Sequence, residues 1–223
     1  MKSQKMMKKV RLILSCVLLL SSIIACSPTP TESSNQSNET PTTPVVIPTG
    51  WKNFIGNGVS LSLPSQYEGG NPGTDIEQLQ SKLEAVNPSY TERIEPIKQR
   101  TKTIALIAFD PQKSETETIT NVSVIQEKLP ENTDSKTVIN DALEKISLVY
   151  EIVETKDVAV NNYQAKRIIA EADSQGILIK PLLYLLVDND TLWLVTYTTT
   201  ATEFEQRLPN FEQSVKTFRV QTK

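Results

Sequence analysis

The residues best placed to do chemistry in this sequence are Ile23-Ile24-Ala25-Cys26, where its leader ends. Five basic residues, no acidic residue and an apolar run at positions 12–24 come before Cys26. A basic start, a short apolar run and a small residue before the cleavage point make up a secretory signal. The run is shorter than the roughly 20 apolar residues that a membrane-spanning helix needs. We therefore predict a signal peptide over residues 1–25.

The same four residues match the bacterial lipobox, in which the cysteine is lipidated and becomes the first residue of the mature protein. The alternative is an ordinary signal peptide with a chance cysteine near its cleavage site. One acyl chain binds a membrane only reversibly, whereas the two or three chains of a lipoprotein cysteine give stable anchoring. The motif predicts lipidation at Cys26 and a membrane partner held by that anchor. The predicted location is extracytoplasmic, on the outer face of the cell membrane or, in a two-membrane bacterium, at the outer membrane.

Composition excludes several kinds of chemistry from the mature chain. Histidine is absent, and Cys26 is the only cysteine left once Cys16 leaves with the signal. Histidine-based triads, free cysteine nucleophiles and zinc hydrolases are therefore excluded, and no internal disulfide can form. Removing residues 1–25 takes away five of the 23 basic residues and none of the 26 acidic ones, which leaves a net charge of −8. Such a charge disfavours nucleic acid as a partner.

The remaining polar and aromatic groups have structural explanations that outweigh chemical ones. Two aspartates of one turn are too few ligands for calcium, the serines lack a nearby base, and the glutamates lie on the polar side of a helix. The two spaced aromatic residues are typical of a core, and the glycine-rich segment 68–74 lacks a P-loop lysine. We predict no catalytic residue, no metal site, no cofactor and no enzymatic activity. The aspartates are Asp188 and Asp190, the serines are Ser60, Ser62 and Ser65, the glutamates are Glu203, Glu205 and Glu212, and the aromatic residues are Trp193 and Tyr197.

The mature chain divides into a linker and one domain. Residues 27–49 contain five prolines, ten serines or threonines and no aromatic residue. This composition cannot bury enough apolar surface to offset the entropy of ordering, so residues 26–49 are predicted to be the lipidated cysteine and a disordered linker. Residues 50–223 are long enough for a single domain with its own core.

The domain shows strand and helix patterns that predict an α+β fold, an antiparallel sheet with helices on its faces. A hairpin is predicted at residues 51–63, around Gly56-Asn57-Gly58. Capping boxes predict helix starts at Thr74, Ser89 and Thr202, and Pro209 predicts a kink or two short helices. A further helix is predicted at about 135–149. Strands are predicted at about 103–109, 119–128, 151–160, 163–173, 176–187 and 191–199, the last four as a meander with tight turns at Asn161-Asn162 and 188–190.

Residues 58–67 and 163–220 resemble the PsbP-like family and the related bacterial DcrB-like lipoproteins. The similar segments are Gly58-Val-Ser-Leu-Ser-Leu-Pro64, Leu192-Trp-Leu-Val-Thr-Tyr197, and the closing run from Ala201 to Phe218-Arg219-Val220. The resemblance implies an α/β/α sandwich around an antiparallel sheet. The family includes photosystem II subunits, some of which use histidine as a metal ligand. Because this chain has no histidine, the resemblance carries no metal site to it.

Three functions remain open from the sequence. The first is a non-enzymatic, lipid-anchored accessory domain that contacts a protein partner in the cell envelope. The second is a module that binds a small apolar ligand or lipid, suggested by the long apolar run between Ile177 and Val195. The third, a hydrolase that uses two carboxylates, ranks last because it needs two acidic side chains converging in a cleft.

Overall fold

The computed structural model describes residues 46–112 and 118–221. The predicted signal peptide, Cys26 and all but the last four residues of the predicted linker lie outside the described residues. The strands are β1 (Trp51–Ile55), β2 (Val59–Pro64), β3 (Glu68–Gly70), β4 (Ile104–Phe109), β5 (Asn121–Lys128), β6 (Glu151–Val160), β7 (Tyr163–Ser174), β8 (Ile177–Asp188), β9 (Thr191–Thr200) and β10 (Arg219–Val220). The helices are α1 (Pro72–Val86), α2 (Thr91–Lys98), α3 (Ser135–Ser147) and α4 (Ala201–Val215), with a 3₁₀ turn at Pro88–Tyr90.

The strands form two antiparallel sheets. The larger has seven strands in the order β3-β4-β5-β9-β8-β7-β6, and the smaller has three in the order β1-β2-β10. The predicted meander is confirmed, since β6 to β9 pair in chain order. Asn161 and Asn189 adopt positive φ angles of 56° and 52° in its tight turns, a conformation that asparagine tolerates better than most residues. The predicted hairpin of β1 and β2 is also confirmed.

The first face of the seven-stranded sheet is covered by the three-stranded sheet and α4. Their apolar side chains form one cluster with that face, including Leu61 of β2, Leu182 of β8, Tyr197 of β9 and Phe211 of α4. The turn of the first hairpin is fixed to this layer because the Asn57 N–H donates to the Ala105 carbonyl at 2.7 Å. Gly56 is required there, since a Cβ would collide with the same carbonyl oxygen.

The second face is covered by helices alone. Helices α1 and α2 pack against β4 through Leu79, Leu83 and Ile94. Helix α3 packs against β7, β8 and β9 through Ile146 and its neighbours. Helices therefore lie on both faces, and the predicted α+β class is confirmed.

Strand β8 shows why its sequence is apolar without alternation. Leu182, Tyr184 and Leu186 belong to the cluster on the first face. Leu183 and Leu185 belong to the α3 cluster on the second face. A strand covered on both sides buries every side chain, so the prediction of a doubly covered strand is confirmed.

The helix starts differ from the capping-box predictions. Helix α1 begins at Pro72, and Asn71 caps it by accepting the Gly73 N–H at 2.9 Å. Proline at the first helical position needs no hydrogen-bond partner and has the right φ, which moves the start ahead of Thr74. Helix α4 is capped by Thr200, whose hydroxyl accepts the Glu203 N–H at 3.3 Å. The predicted start at Thr74 is therefore two residues late, and the predicted start at Thr202 is one residue late.

Helices α2 and α4 both contain proline. Helix α2 begins at Thr91 without a side-chain cap, in place of the predicted start at Ser89, and includes Pro96. Helix α4 runs unbroken from Ala201 to Val215 with Pro209 inside it, so two short helices are not formed. Pro209 is solvent-exposed, where water can satisfy the carbonyl that loses its partner. Among the described residues, no helix combines the length and apolar character needed to cross a bilayer.

Candidate functional site

The first polar cluster lies where α4 leaves β9, and the sequence patterns did not group its members. The Arg207 guanidinium lies between two carboxylates: its Nη1 donates to Asp110 Oδ2 at 2.7 Å and its Nε donates to Glu203 Oε2 at 2.7 Å. Asp110 is only 1% exposed, and its second oxygen accepts the Gln112 N–H at 3.1 Å. A single arginine thus connects the end of β4 to the first turns of α4.

A buried tyrosine completes this cluster. Burial raises the pKa of Tyr67 well above its ordinary value, and the charge of Asp110 raises it further. The phenol therefore stays protonated and is not a general base at neutral pH. Because Arg207 is occupied by two carboxylates, the cluster offers neither an unpaired cation for an anion nor two free carboxylates for a metal. The cluster has a structural role, because it holds α4 against the end of β4.

A second polar cluster holds the other flank of α4. Arg167 of β7 donates from Nη2 to Glu212 Oε1 at 2.8 Å and from Nη1 to Glu154. Burial raises the pKa of the adjacent Tyr184 to about 12, partly offset by the charge of Arg167. Two ion-pair clusters therefore join α4 to the sheet. Arg207 and Asp110 are 97 residues apart in the chain, and Arg167 and Glu212 are 45 residues apart.

The prediction for the three glutamates of α4 is correct for one of them. The Glu205 side chain is 78% exposed, as expected on a solvated face. Glu203 and Glu212 instead pair with Arg207 and Arg167. The helical pattern did place all three away from the apolar stripe. Arg207 lies four residues after Glu203 on the same helix, whereas the pattern could not reveal that Arg167 of β7 reaches Glu212.

Asp188 and Asp190 lie at the β8–β9 turn, as the sequence predicted. The Lys128 ammonium hydrogen-bonds Asp190 and lowers the pKa of that carboxyl. Burial raises the pKa of Asp188, and the negative charge of Asp190 adds to the effect. In the part of the chain that the structure describes, no three side chains of the metal-ligating types come together.

The serines and the glycine-rich segment are used structurally. Ser62 is 1% exposed, and its backbone carbonyl accepts the hydroxyl of Ser214 at 2.7 Å. At the start of α1, the Asp75 carboxylate accepts the Asn71 N–H at 2.9 Å. A side-chain carboxylate thus occupies the place where an anion would bind a helix start. The glycine-rich segment is a helix entry that supplies its own acceptor.

The aromatic residues of β9 belong to the core, as predicted. Trp193 is 4% exposed and contacts Phe218 edge to face, with ring centroids 6.2 Å apart. Tyr197 is fully buried and stacks on Phe211 at 5.0 Å. Its hydroxyl donates to Ser214 at 3.0 Å, which explains how a buried phenol is satisfied. Neither ring offers an exposed platform for a ligand.

Known structures share this fold. The solution structure of cyanobacterial PsbP (CyanoP) from Synechocystis sp. PCC 6803 is 10% identical with a TM-score of 0.50, covering 80% of this chain and 96% of that one. LpqN, involved in cell envelope biogenesis of Mycobacterium tuberculosis, is 9% identical with a TM-score of 0.49, covering 83% and 88%. A Bacteroides thetaiotaomicron protein is 11% identical with a TM-score of 0.49, and this chain covers 50% of its length.

The CyanoP similarity shows a class of fold and not an activity. The CyanoP comparison supports the PsbP-like resemblance predicted from the closing helix and the opening hairpin. No protein-family model matches the sequence, and no curated protein matches it either. The chain has a PsbP-like α+β fold.

Proposed function

We propose that this chain is a non-enzymatic, lipid-anchored accessory domain of the bacterial cell envelope, which acts by contacting a protein partner. The observation that carries the proposal is the leader Ile23-Ile24-Ala25-Cys26, followed by a proline-, serine- and threonine-rich linker. A lipid on Cys26 would hold the domain at the membrane while the linker lets it move toward a partner.

The polar clusters support the non-enzymatic part of the proposal. Within residues 46–112 and 118–221, the two most buried arginine–carboxylate clusters are saturated by their own members. A catalytic acid or base needs a proton that it can exchange with a substrate. The carboxylates of both clusters are occupied by contacts with Arg207 and Arg167, so these clusters serve to position α4.

The alternative is a module that binds a small apolar ligand. The apolar run that suggested it has a structural explanation. The apolar run of β8 was longer than one buried face requires. Its buried side chains divide between the clusters on the two faces of the sheet, with Leu182 on one and Leu183 on the other. Double coverage accounts for the run without a ligand.

Membrane fractionation with two cysteine variants tests the anchor. We expect Cys26→Ser to lose incorporation of a fatty-acid probe and to leave the membrane fraction or remain as an uncleaved precursor. Cys16→Ser is the matched control, since it changes the other cysteine of the chain inside the same leader. Probe retained in the Cys26→Ser chain would contradict lipidation at this residue.

Crosslinking in cells tests the partner. The anchored chain is expected to give a discrete crosslinked product with an envelope protein, which is reduced when the domain is released by Cys26→Ser. A crosslinking pattern that contains only the chain itself, at native expression level, would contradict an accessory role through a protein partner.

A further inference from the structure

The outer side of the three-stranded sheet carries two large apolar side chains among polar ones, on the strand by which the chain enters the domain. On β1 and β2, Phe54 and Leu61 point inward and belong to the main core cluster. Because side chains alternate along a strand, Trp51, Asn53 and Ile55 point the opposite way. Ile55 is 59% exposed and Trp51 is half-buried.

Two further apolar residues precede β1. Val46 is 78% exposed and Ile47 is 48% exposed. The Trp51 N–H donates to the Pro48 carbonyl at 3.2 Å, so a tight turn brings this entry segment back toward the start of β1. Of the large apolar residues that are exposed in the described part of the chain, half lie at residues 46–55. We call Val46, Ile47, Trp51 and Ile55 the entry patch.

The charge around the entry patch differs from that of the chain as a whole. The outward positions of β1, β2 and β10 carry uncharged residues and one arginine, with no carboxylate. Ser60 pairs with both Ile55 and Arg219, which places the arginine on the same face. In a mature chain predicted to carry a net charge of −8, this face is neutral to basic, a property that suits contact with lipid headgroups.

The position of the proposed anchor favours a membrane as the surface that contacts this patch. Nineteen residues, 27–45, lie between Cys26 and Val46, and a chain of that length spans at most about 70 Å. A lipid on Cys26 would therefore keep the membrane within about 70 Å of the patch. Tethering raises the effective concentration of two surfaces, so even weak contacts become populated. Tryptophan favours the membrane–water interface, where its ring is apolar and its N–H is solvated.

We propose that the entry patch is a membrane-docking face, which lays the outer side of the three-stranded sheet on the lipid surface that holds the anchor. This inference rests on the lipid anchor proposed above. Docking through the patch fixes the orientation of the domain, with α1, α2 and α3 of the second face turned away from the membrane. An accessory domain held in this way presents its helical face to a partner.

Tryptophan fluorescence on vesicles tests this proposal. The chain contains two tryptophans, Trp51 in the patch and Trp193 in the core. Because Cys26 is the only cysteine of the mature chain, residues 26–223 can be coupled through it to a maleimide lipid in phosphatidylcholine vesicles. Bromine on the acyl chains quenches only a tryptophan that contacts the lipid. We expect docking on either kind of vesicle to shift the emission of Trp51 to the blue, and the brominated acyl chains to quench that emission. The substitution Trp51→Phe is expected to abolish the quenching.

Charge substitutions supply the matched comparison. Ile47→Asp, outside any strand, and Ile55→Asp are expected to reduce the quenching. Leu148→Asp is the control, because Leu148 is 80% exposed and ends α3 on the opposite face of the seven-stranded sheet. Unfolding temperatures of the three variants show whether each remains folded, and the Ile47 variant decides the test if the Ile55 variant unfolds.

Three outcomes would overturn the docking face. The first is a tryptophan emission that neither plain nor brominated vesicles change from that of the uncoupled chain. The second is an equal loss of quenching in Leu148→Asp and Ile47→Asp. The third is a blue shift without quenching, which would mean that a protein surface covers Trp51. Coupling through maleimide bypasses lipidation in cells, so this result is independent of the fractionation test of Cys26.

Discussion

Asp188 and Asp190 occupy the same turn, yet the pKa values of their carboxyls move in opposite directions. Asp190 has a side chain that is 47% exposed and hydrogen-bonded by Lys128, which favours its charged form. Asp188 is partly buried beside that negative charge, which disfavours its own charged form. Two residues of one type in one turn therefore contribute to stability with opposite signs.

We predict that Asp188→Asn raises the unfolding temperature at pH 7 and has no such effect at pH 3. A carboxyl whose pKa is higher in the folded state than in the unfolded state holds its proton more tightly when folded. Its contribution to stability is present below the unfolded pKa, near 4, and is lost as the pH rises through the folded pKa. Asparagine cannot ionise, so it avoids this loss at pH 7.

Asp190→Asn is the matched control for this prediction. It removes a carboxyl whose pKa is lowered in the folded state, so the stability it supplies is present at pH 7 and disappears as the pH falls. We expect it to leave the unfolding temperature unchanged or lower at pH 7. Thermal unfolding at the two pH values checks both variants, and stabilisation by both substitutions would disprove the assignment.

At the scale of elements, α4 is the part of the fold that most depends on ion pairs. Arg207 and Glu212 lie on its two flanks and contact the sheet through Asp110 and Arg167. Between them, Phe204 and Phe211 bury the apolar stripe of the helix. Apolar contact supplies the attraction, whereas the two clusters restrict the position of the helix along and across the strands.

We predict that Arg207→Gln destabilises the domain by about 3 kcal/mol, because removing one partner leaves a buried carboxylate unpaired. The lower end of the usual range applies since the Arg207 side chain is 20% exposed. Asp110→Asn combined with Arg207→Gln should recover part of the loss. Glu205→Gln, on the exposed side of the same helix, should change stability by no more than about 0.5 kcal/mol. Urea unfolding measures all three, and a double variant less stable than Arg207→Gln alone would contradict the explanation.

Elements whose signals are local could be predicted from the sequence. The turns at Asn161 and Asn189 combine residues that tolerate positive φ with strands on either side, so the meander followed directly. Helix starts were less accurate because several local signals compete, and Pro72 with Asn71 prevailed over Thr74. The long-range contacts of the arginine clusters could not be predicted, since Asp110 and Arg207 are separated by 97 residues and share no pattern.

At the scale of the whole molecule, the sequence predicts two parts with different roles, an anchoring segment followed by a folded domain. In the proposed function the leader and linker set where the domain is held and how far it reaches, whereas the described residues form a fold with its own apolar cores. The outward side of the three-stranded sheet lies next to the point where the two parts join. The orientation of the domain at a membrane thus depends on residues that neither the anchor motif nor the core pattern identified.

We predict that shortening the linker leaves the stability of the domain unchanged. Deletion of residues 27–40, with Cys26 kept, should not alter the thermal unfolding temperature in detergent-free solution, because a linker of this composition supplies no buried apolar surface and no disulfide joins it to the domain. Gly56→Ala is the comparison that shows the sensitivity of the measurement. Its added Cβ would collide with the Ala105 carbonyl at the base of the first hairpin and should lower the unfolding temperature clearly. A comparable decrease on deleting the linker would show that the linker packs on the domain, and it would contradict the independent tether on which both proposals depend.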